Sequence, residues 1–420
     1  MSCINIRDII IDSEKTAVCV PITGINADEI HSQMLEALKH SPDIIEWRCD
    51  CLNSVKREDV ETILPMIRRI AGNIAVLFTF RTSNEGGNKM INDNDYYDVN
   101  ILAASTGCVD IIDVEACSRS HLAKELIRDL QDMDVKVLGS CHDFVKTPKK
   151  EKMDDIFETL HSLGSDIIKL AVMPKCEEDV DALMKASRRA YYKFNCPVVS
   201  MSMAQTGVVS RIRTDVSKSA ITFASVGKAS APGQVEIETL RKLMKINKHT
   251  QRDKNIVLTG FMGSGKTTVS KMLSKLTGMI EIDTDSYIEA NNECTISEIF
   301  EKSGEKGFRE IETEAIKEIS NQKGIIISCG GGVVLKKENV DYLKRNGIIV
   351  YLDADCDTIY NRVKNDTGRP LLKDKMTKEY IQSMMDQRSR FYNEALDFSV
   401  DAAKDCLSVC CDIIDVCGIE

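Results

Sequence analysis

The first 245 residues alternate short apolar runs with longer amphipathic segments, and this rhythm restricts the fold more than any other feature of the 420-residue chain. The runs are Thr16–Ile22, Asp43–Trp47, Ile74–Phe80, Val109–Val114, Val135–Ser140, Asp166–Ala171, Pro197–Ser202 and Ala220–Ala224. Helix-like stretches lie between most of them, among them Asp28–Lys39, Glu58–Ile70, His121–Gln131, Asp154–Leu163 and Glu177–Tyr192. Strands apolar on both faces must be covered on both, and helical crossovers between them force a parallel sheet. Eight such runs in this length predict an α/β chain that opens with a (β/α)8 TIM barrel over residues 1–248. The segment Ile4–Ile11 precedes the first repeat and is placed as a cap on the barrel floor.

A polar, basic stretch, Lys245–Lys254, lacks core-forming periodicity and reads as a linker, set at 249–254. Beyond it, Gly260-Phe-Met-Gly-Ser-Gly-Lys266-Thr267 follows the apolar run Asn255–Thr259 and precedes the helix-like Thr268–Leu276. Strand, G-x-x-x-x-G-K-T and helix in that order make a phosphate-binding loop. Its glycines let backbone N–H groups turn toward a phosphate, and the helix start adds its positive end. Lys266 is placed on the β/γ-phosphates and Thr267 on Mg2+. Further strand signals at Met279–Asp283, Gly324–Ser328, Gly347–Leu352 and Phe398–Val400 predict a P-loop domain over 255–420, a parallel β-sheet flanked by helices.

The formal net charge of −10 argues against nucleic acid or a membrane surface as a general partner. No signal peptide and no apolar run long enough for a membrane span is visible. Sixteen cysteines without a C-x-x-C pair read as free thiols in a reduced, cytoplasmic protein.

In a parallel barrel the reacting groups sit at the C-terminal ends of strands. The polar residues there are Glu46, Arg48, Arg81, Glu115, His142 and Lys169, with Arg211 later. Lys169 lies in the apolar Asp-Ile-Ile-Lys-Leu-Ala-Val-Met, where a desolvated amine would have a lowered pKa and could attack a carbonyl. The alternative is a structural pairing with Glu46 or Glu115. His142, one strand earlier, could move a proton beside an iminium, or simply pack.

Together these residues resemble the type I 3-dehydroquinate dehydratases over about residues 1–245. The resemblance is carried by Glu46-Trp-Arg48, Arg81-Thr-Ser-Asn-Glu85-Gly-Gly, Ser140-Cys-His142-Asp-Phe, Lys169-Leu-Ala-Val-Met-Pro174, Ser202-Met203, Ser210-Arg211-Ile and Ser230-Ala-Pro-Gly-Gln234. A Schiff-base aldolase on the same barrel would not account for the arginines. The resemblance implies a Schiff base on Lys169, without an organic cofactor. It implies proton transfer by His142, held by Glu85, and a carboxylate clamp from Arg211. Glu46, Arg48, Arg81, Ser230 and Gln234 would bind the rest of 3-dehydroquinate. One departure is Pro21, which ends the first run where some relatives carry a serine.

The second half resembles the shikimate kinases over about residues 253–420. The loop, Asp283-Thr-Asp285, Phe308-Arg309-Glu310-Ile-Glu312, Gly330-Gly331-Gly332, Arg369-Pro-Leu-Leu372 and Arg388 with Tyr392 all occur in that family's order. Taken singly, each has a bland reading as a helix cap, a solvated pair or a turn. As a set they imply ATP held by Gly263, Ser264, Gly265, Lys266, Thr267, Thr268 and Arg369. They imply shikimate held by Asp285, Arg309, Gly331 and Arg388, with Asp285 acting on its 3-hydroxyl. Mg2+ would rest on Thr267, with Asp283 reaching it through water, and Arg362 is a candidate to stack on adenine.

The combined expectation is a bifunctional shikimate-pathway enzyme for aromatic amino acid biosynthesis; the alternative is one catalytic half with the other kept as scaffold or sensor. The two reactions are not consecutive, because the dehydratase product must first be reduced with NADPH. The chain contains no G-x-G-x-x-G unit between a strand and a helix for that step. The linkage is therefore expected to serve co-expression or to dock a separate shikimate dehydrogenase, and a barrel homodimer is expected by family analogy.

Overall fold

The computed structural model describes residues 3–227, 230–246, 253–364 and 377–419. The chain divides into two compact units, Met1–Met244 and Lys245–Glu420. That division falls just before the expected linker, of which residues 249–252 lie outside the described residues.

In the first unit, a hairpin of β1 (Ile4–Ile6) and β2 (Ile9–Ile11) precedes eight long strands. These are β3 (Ala17–Ile22), β4 (Ile44–Arg48), β5 (Ala75–Thr79), β6 (Ile111–Glu115), β7 (Lys136–Asp143), β8 (Ile167–Val172), β9 (Val198–Ser202) and β10 (Ile221–Ser225). Strands β3 to β9 pair in parallel in chain order, and β10 returns to pair with β3. The circle closes between β9 and β10 through a Val198–Ser219 bridge and an Ala220 N–H donated to the Val198 carbonyl at 2.7 Å. A short β11 (Val235–Glu236) extends the far end of β10. Each expected apolar run is a strand, because residues on both faces are buried: all five of β5 and all six of β8 are out of solvent.

The hairpin does cap the floor. Ile6 and Ile11 pack against Ala17, Ile44, Ala75 and Ile167 at the strand starts, leaving the opposite end for chemistry. Helix Asp93–Ser105 is not among the stretches named from the sequence. Its buried face mixes Tyr96, Val99 and Ala103 with the buried Asn100, so the apolar periodicity is blurred. The helix expected at Asp154–Leu163 begins at Lys150, where charged residues open the first turn.

The second unit is a five-stranded parallel sheet of β12 (Asn255–Thr259), β13 (Ile280–Asp283), β14 (Ile325–Ser328), β15 (Gly347–Asp353) and β16 (Phe398–Asp401), in the order β13-β14-β12-β15-β16. Val257, Ile327 and Ile349 from its centre pack on Ile316 and Ile319 of helix Ile296–Ile319 and on Leu343 of helix Lys337–Asn346. The order reverses around β12, and the loop after β12 is the phosphate-binding loop. Among the described residues, no helix is long and apolar enough to cross a membrane.

Candidate active sites

At the open end of the barrel, Lys169 stands inside β8, 4% exposed. Its Nζ lies 3.3 Å from Asp113 Oδ2 and 4.6 Å from the centre of the Phe223 ring. Asp113 also accepts from Arg81 Nη2 at 2.7 Å and Ser140 Oγ at 2.6 Å. The lysine's partner is therefore Asp113, not Glu46 or Glu115. Burial alone would push the Asp113 carboxyl up, but Arg81 and Lys169, with the Ser140 hydroxyl, outweigh it and hold the group below the usual carboxylate range.

His142 sits at the end of β7, with Nδ1 2.8 Å from Glu85 Oε2. Burial first, then the positive charges of Arg81, Lys169 and Arg48, hold the imidazole well below its ordinary pKa, so it is neutral. Burial pushes the Glu85 carboxyl up to about 7, with Arg81 opposing and Glu115 adding to the rise.

Arg81 was expected to share in binding the substrate's hydroxyls and ring edge; its guanidinium faces three carboxylates. Nη1 donates to Glu115 Oε1 and Ser140 Oγ, both at 3.1 Å, and reaches Glu85 Oε2 at 3.5 Å, while Nη2 takes Asp113. Arg48 forms a two-point pair with the fully buried Asp50, both contacts 2.8 Å. Asp50 also accepts the backbone N–H groups of Arg81 and Asn88, both at 3.2 Å, so it ties the ends of β4 and β5. Glu46 accepts from the Thr79 hydroxyl at 2.8 Å.

Arg211 differs from these. It lies in the short helix Val208–Ile212 after β9 and is 1% exposed. Its Nη1 meets Met201 Sδ at 3.6 Å and its Nη2 the Pro232 carbonyl at 3.2 Å, while Nε has no partner. No carboxylate pairs with it among the described residues, and burial brings it down to about 10. Pro232 belongs to a loop in which Gln234 Oε1 accepts from Ser230 N at 2.7 Å, Ser230 Oγ at 3.1 Å and Ala231 N at 3.3 Å. Arg211, Ser230 and Gln234 are thus held as one group.

In the second unit, Gly260, Gly263 and Gly265 have φ of 153°, 84° and 96°, values that side chains rarely adopt. Helix Lys266–Thr277 starts immediately after them, with Thr267 and Thr268 exposed in its first turn and Ser264 buried beneath. Lys266 Nζ donates to the carbonyls of Gly260 at 2.8 Å and Phe261 at 3.0 Å. Thr267 Oγ1 is 3.3 Å from Asp283 Oδ2, which also accepts from Ser328 Oγ at 3.0 Å. Arg362 donates to the carbonyls of Ser264 and Ala402, bracing the loop from behind. Arg369 lies outside the described residues.

The residues expected to hold the acceptor gather around Gly330-Gly331-Gly332. A Cβ on Gly330 would stand 2.6 Å from Asp285 Oδ1, and one on Gly332 2.4 Å from the Arg309 guanidinium nitrogens. The bare backbone is what lets both charged groups close in. Arg309 donates to the buried Glu312 at 2.8 Å. Burial, then the charge of Asp283, hold the Asp285 carboxyl above its usual value against the pull of Lys266. Arg388, on helix Lys378–Ala395, lies 5.9 Å from the centre of the Phe261 ring.

The family model for type I 3-dehydroquinase matches residues 18–251, more than half of the chain. The chain belongs to that family. The shikimate kinase model matches residues 262–417, so a type I 3-dehydroquinase is followed by a shikimate kinase in one polypeptide. A 3-dehydroquinate dehydratase of Listeria monocytogenes is 37% identical over 249 residues, which is 59% of this chain and 98% of the relative. The crystal structure of 3-dehydroquinate dehydratase from Geobacillus kaustophilus is 30% identical, covers 58% of this chain and 95% of its own, and gives a TM-score of 0.56. A shikimate kinase structure from Acinetobacter baumannii, in complex with shikimate, is 33% identical, covers 40% of this chain and 96% of its own, and gives a TM-score of 0.37. The nine-stranded sheet is the barrel of the dehydroquinase fold, and the five-stranded sheet is that of a P-loop kinase.

Two buried residues of the dehydroquinase unit escaped the sequence reading. Asp113 hides in an apolar run, but it lies two residues before Glu115 and so on the same face of β6. Asp50 lies two residues past Arg48 in a 3-10 turn. In the kinase unit, the contacts of Gly330 and Gly332 leave no mark in the sequence beyond the triplet itself.

Proposed function

We propose that both units are catalytic: the first dehydrates 3-dehydroquinate to 3-dehydroshikimate through a Schiff base, and the second phosphorylates shikimate with Mg-ATP. The observation that carries the first reading is the pairing of a buried amine, Lys169, with a buried guanidinium, Arg211, that no carboxylate neutralises among the described residues. The guanidinium suits a substrate carboxylate. The amine attacks the ketone, and loss of water gives the imine. Neutral His142 then takes the proton beside the imine carbon, and the electrons left behind expel the hydroxyl two carbons away from the imine. His142 returns the proton to that leaving oxygen, and water hydrolyses the imine to free Lys169. Glu85, ionised, accepts from Nδ1–H and leaves Nε2 as the basic nitrogen. Arg81 holds Glu85, Asp113 and Glu115 in place around the pair, while Glu46, Arg48, Ser230 and Gln234 meet the substrate's remaining polar edge.

In the kinase unit, oxygen donors only, Thr267 and Asp283, stand where a magnesium ion would be held, and the set fits that hard cation. Mg-ATP, when bound, supplies the phosphoryl group to be transferred. Gly263, Ser264, Gly265, Lys266 and Thr268 cradle its phosphates, and Arg369 adds charge from the following segment. Arg309 and Arg388 bind the shikimate carboxylate, Gly331 supports its ring, and Asp285, its pKa raised, takes the 3-hydroxyl proton. We place the protein in the cytoplasm, as a homodimer through the barrel, with a linker at 249–254. A separate NADPH-dependent shikimate dehydrogenase is its working partner, since the dehydratase product is two electrons more oxidised than the kinase acceptor.

The test is one incubation of the full chain with 3-dehydroquinate, shikimate, ATP and Mg2+, with products followed by mass spectrometry. Both 3-dehydroshikimate and shikimate 3-phosphate should accumulate. Lys169→Ala should remove only the first product, and Lys266→Ala only the second. Borohydride should fix a substrate-sized mass on Lys169 in the unmodified chain. If one product is missing from the unmodified chain, that half is a scaffold.

A further inference from the structure

Tyr392 is the most deeply buried polar side chain on helix Lys378–Ala395, and no step above uses it. Only 2% of it is exposed. Its ring stacks on Tyr351 with centroids 4.9 Å apart and planes at 30°, and it packs with Val334 and Ala395. Packing alone would be served equally by phenylalanine, yet the hydroxyl has a partner. Oη donates to the Gly331 carbonyl at 2.6 Å, and Arg388 stands one turn earlier on the same helix. Burial, the main influence, pushes the phenol well above its usual pKa against the downward pull of the Arg388 charge, so the proton stays on oxygen and the direction of donation is fixed. The hydroxyl thus ties the helix that carries Arg388 to the carbonyl of Gly331.

Gly331 is the middle of the triplet whose neighbours lie against Asp285 and Arg309. A Cβ on Gly331 itself would stand 3.6 Å from Met262 N and 3.7 Å from Gly260 O of the phosphate-binding loop. Moving that peptide would shift the acceptor's support relative to both the base and the loop. We propose that Tyr392 is a positioning residue for the phosphoryl acceptor: its hydroxyl fixes the Gly331 peptide against the helix that carries Arg388, so acceptor affinity depends on a single buried oxygen that never touches the acceptor. This rests on the reading that Arg388 and Gly331 contact shikimate.

Tyr392→Phe removes the hydroxyl and keeps the ring. Measured on the full chain with shikimate and ATP, it should raise KM for shikimate about tenfold, the scale of one buried hydrogen bond. KM for ATP, kcat and the melting temperature should stay near those of the parent. Arg388→Lys serves as the reference and should raise KM for shikimate at least as much. The inference is overturned if Tyr392→Phe leaves KM for shikimate within twofold while Arg388→Lys raises it. It is also overturned if Tyr392→Phe lowers the melting temperature and affects both substrates alike, which is the mark of a merely structural tyrosine. If Arg388→Lys changes nothing, the acceptor assignment itself is wrong, and this inference fails with it.

Discussion

The two units handle charge in opposite ways. In the barrel, Arg81, Glu85, Asp113, Glu115 and Lys169 are buried and bonded mainly to one another, each on or next to a strand of one closed sheet. In the P-loop unit, Lys266 bonds to backbone carbonyls, Thr267 and Thr268 are exposed, and the groups of the phosphate-binding loop sit on a helix start and glycine turns. The difference follows from what each reaction brings with it. Dehydration moves protons on a small ring, so the protein must set the pKa values in advance, and burial among fixed charges does so. Phosphoryl transfer brings its own large charge with the nucleotide, so the protein needs oriented donors ready to meet it.

The sharpest way to break this comparison is to delete the central cation of each unit. Arg81→Met should leave three carboxylates buried without their shared partner and destabilise the barrel by about 3–5 kcal/mol, with dehydratase activity lost. Lys266→Met should abolish kinase activity yet cost its own unit only about 1 kcal/mol or less. Hydrogen exchange followed peptide by peptide reads each unit separately. Equal destabilisation of the two would sink the contrast.

A smaller effect should appear in the pH profile. Glu85 must be ionised to accept from His142 Nδ1–H; once protonated, it donates to Nδ1 and places the ring proton on Nε2. Because the carboxyl sits at about 7, dehydratase kcat/KM should fall about tenfold per pH unit below that value and level off above it. Glu85→Gln, whose amide oxygen accepts at any pH, should lose this limb at some cost in rate. An unchanged limb in that variant would assign the titration to another group.

The smallest effect concerns Gly332. Alanine there meets only the far end of Arg309, a group that can swing aside, so stability should change by about 0.5 kcal/mol or less. The displaced guanidinium should raise KM for shikimate roughly three- to tenfold, within what a misplacement of about 1 Å can cost. A KM equal to the parent's would mean that Arg309 acts from a different rotamer.

Much of the fold was legible because burial on both faces writes an uninterrupted apolar run, and β5 and β8 are the plainest cases. Helix Asp93–Ser105 was not, since its buried Asn100 breaks the period that betrays a helix. The candidate site was legible where a polar residue ends or interrupts an apolar run, as with His142 and Lys169. It was hidden where function depends on a partner distant in sequence: Asp113 lies 56 residues from Lys169, and neither run hints at the other. Arg81 shows a further limit, since its position at a strand end is visible but its three carboxylate partners are set by the barrel's curvature.

The hairpin under the barrel also has a consequence in time. Ile6 and Ile11 pack with Ala220 and Ile221, Ser13 donates to the Lys218 carbonyl at 2.7 Å, and Thr16 to that of Ser219 at 2.9 Å. The hairpin is thus matched to a segment synthesised some two hundred residues later. On the ribosome it must wait, apolar and unpartnered, until the eighth barrel strand has emerged, and contacts of such long sequence separation make closure slow. The kinase sheet, whose strands all follow that point, begins to emerge only as the barrel first becomes able to shut.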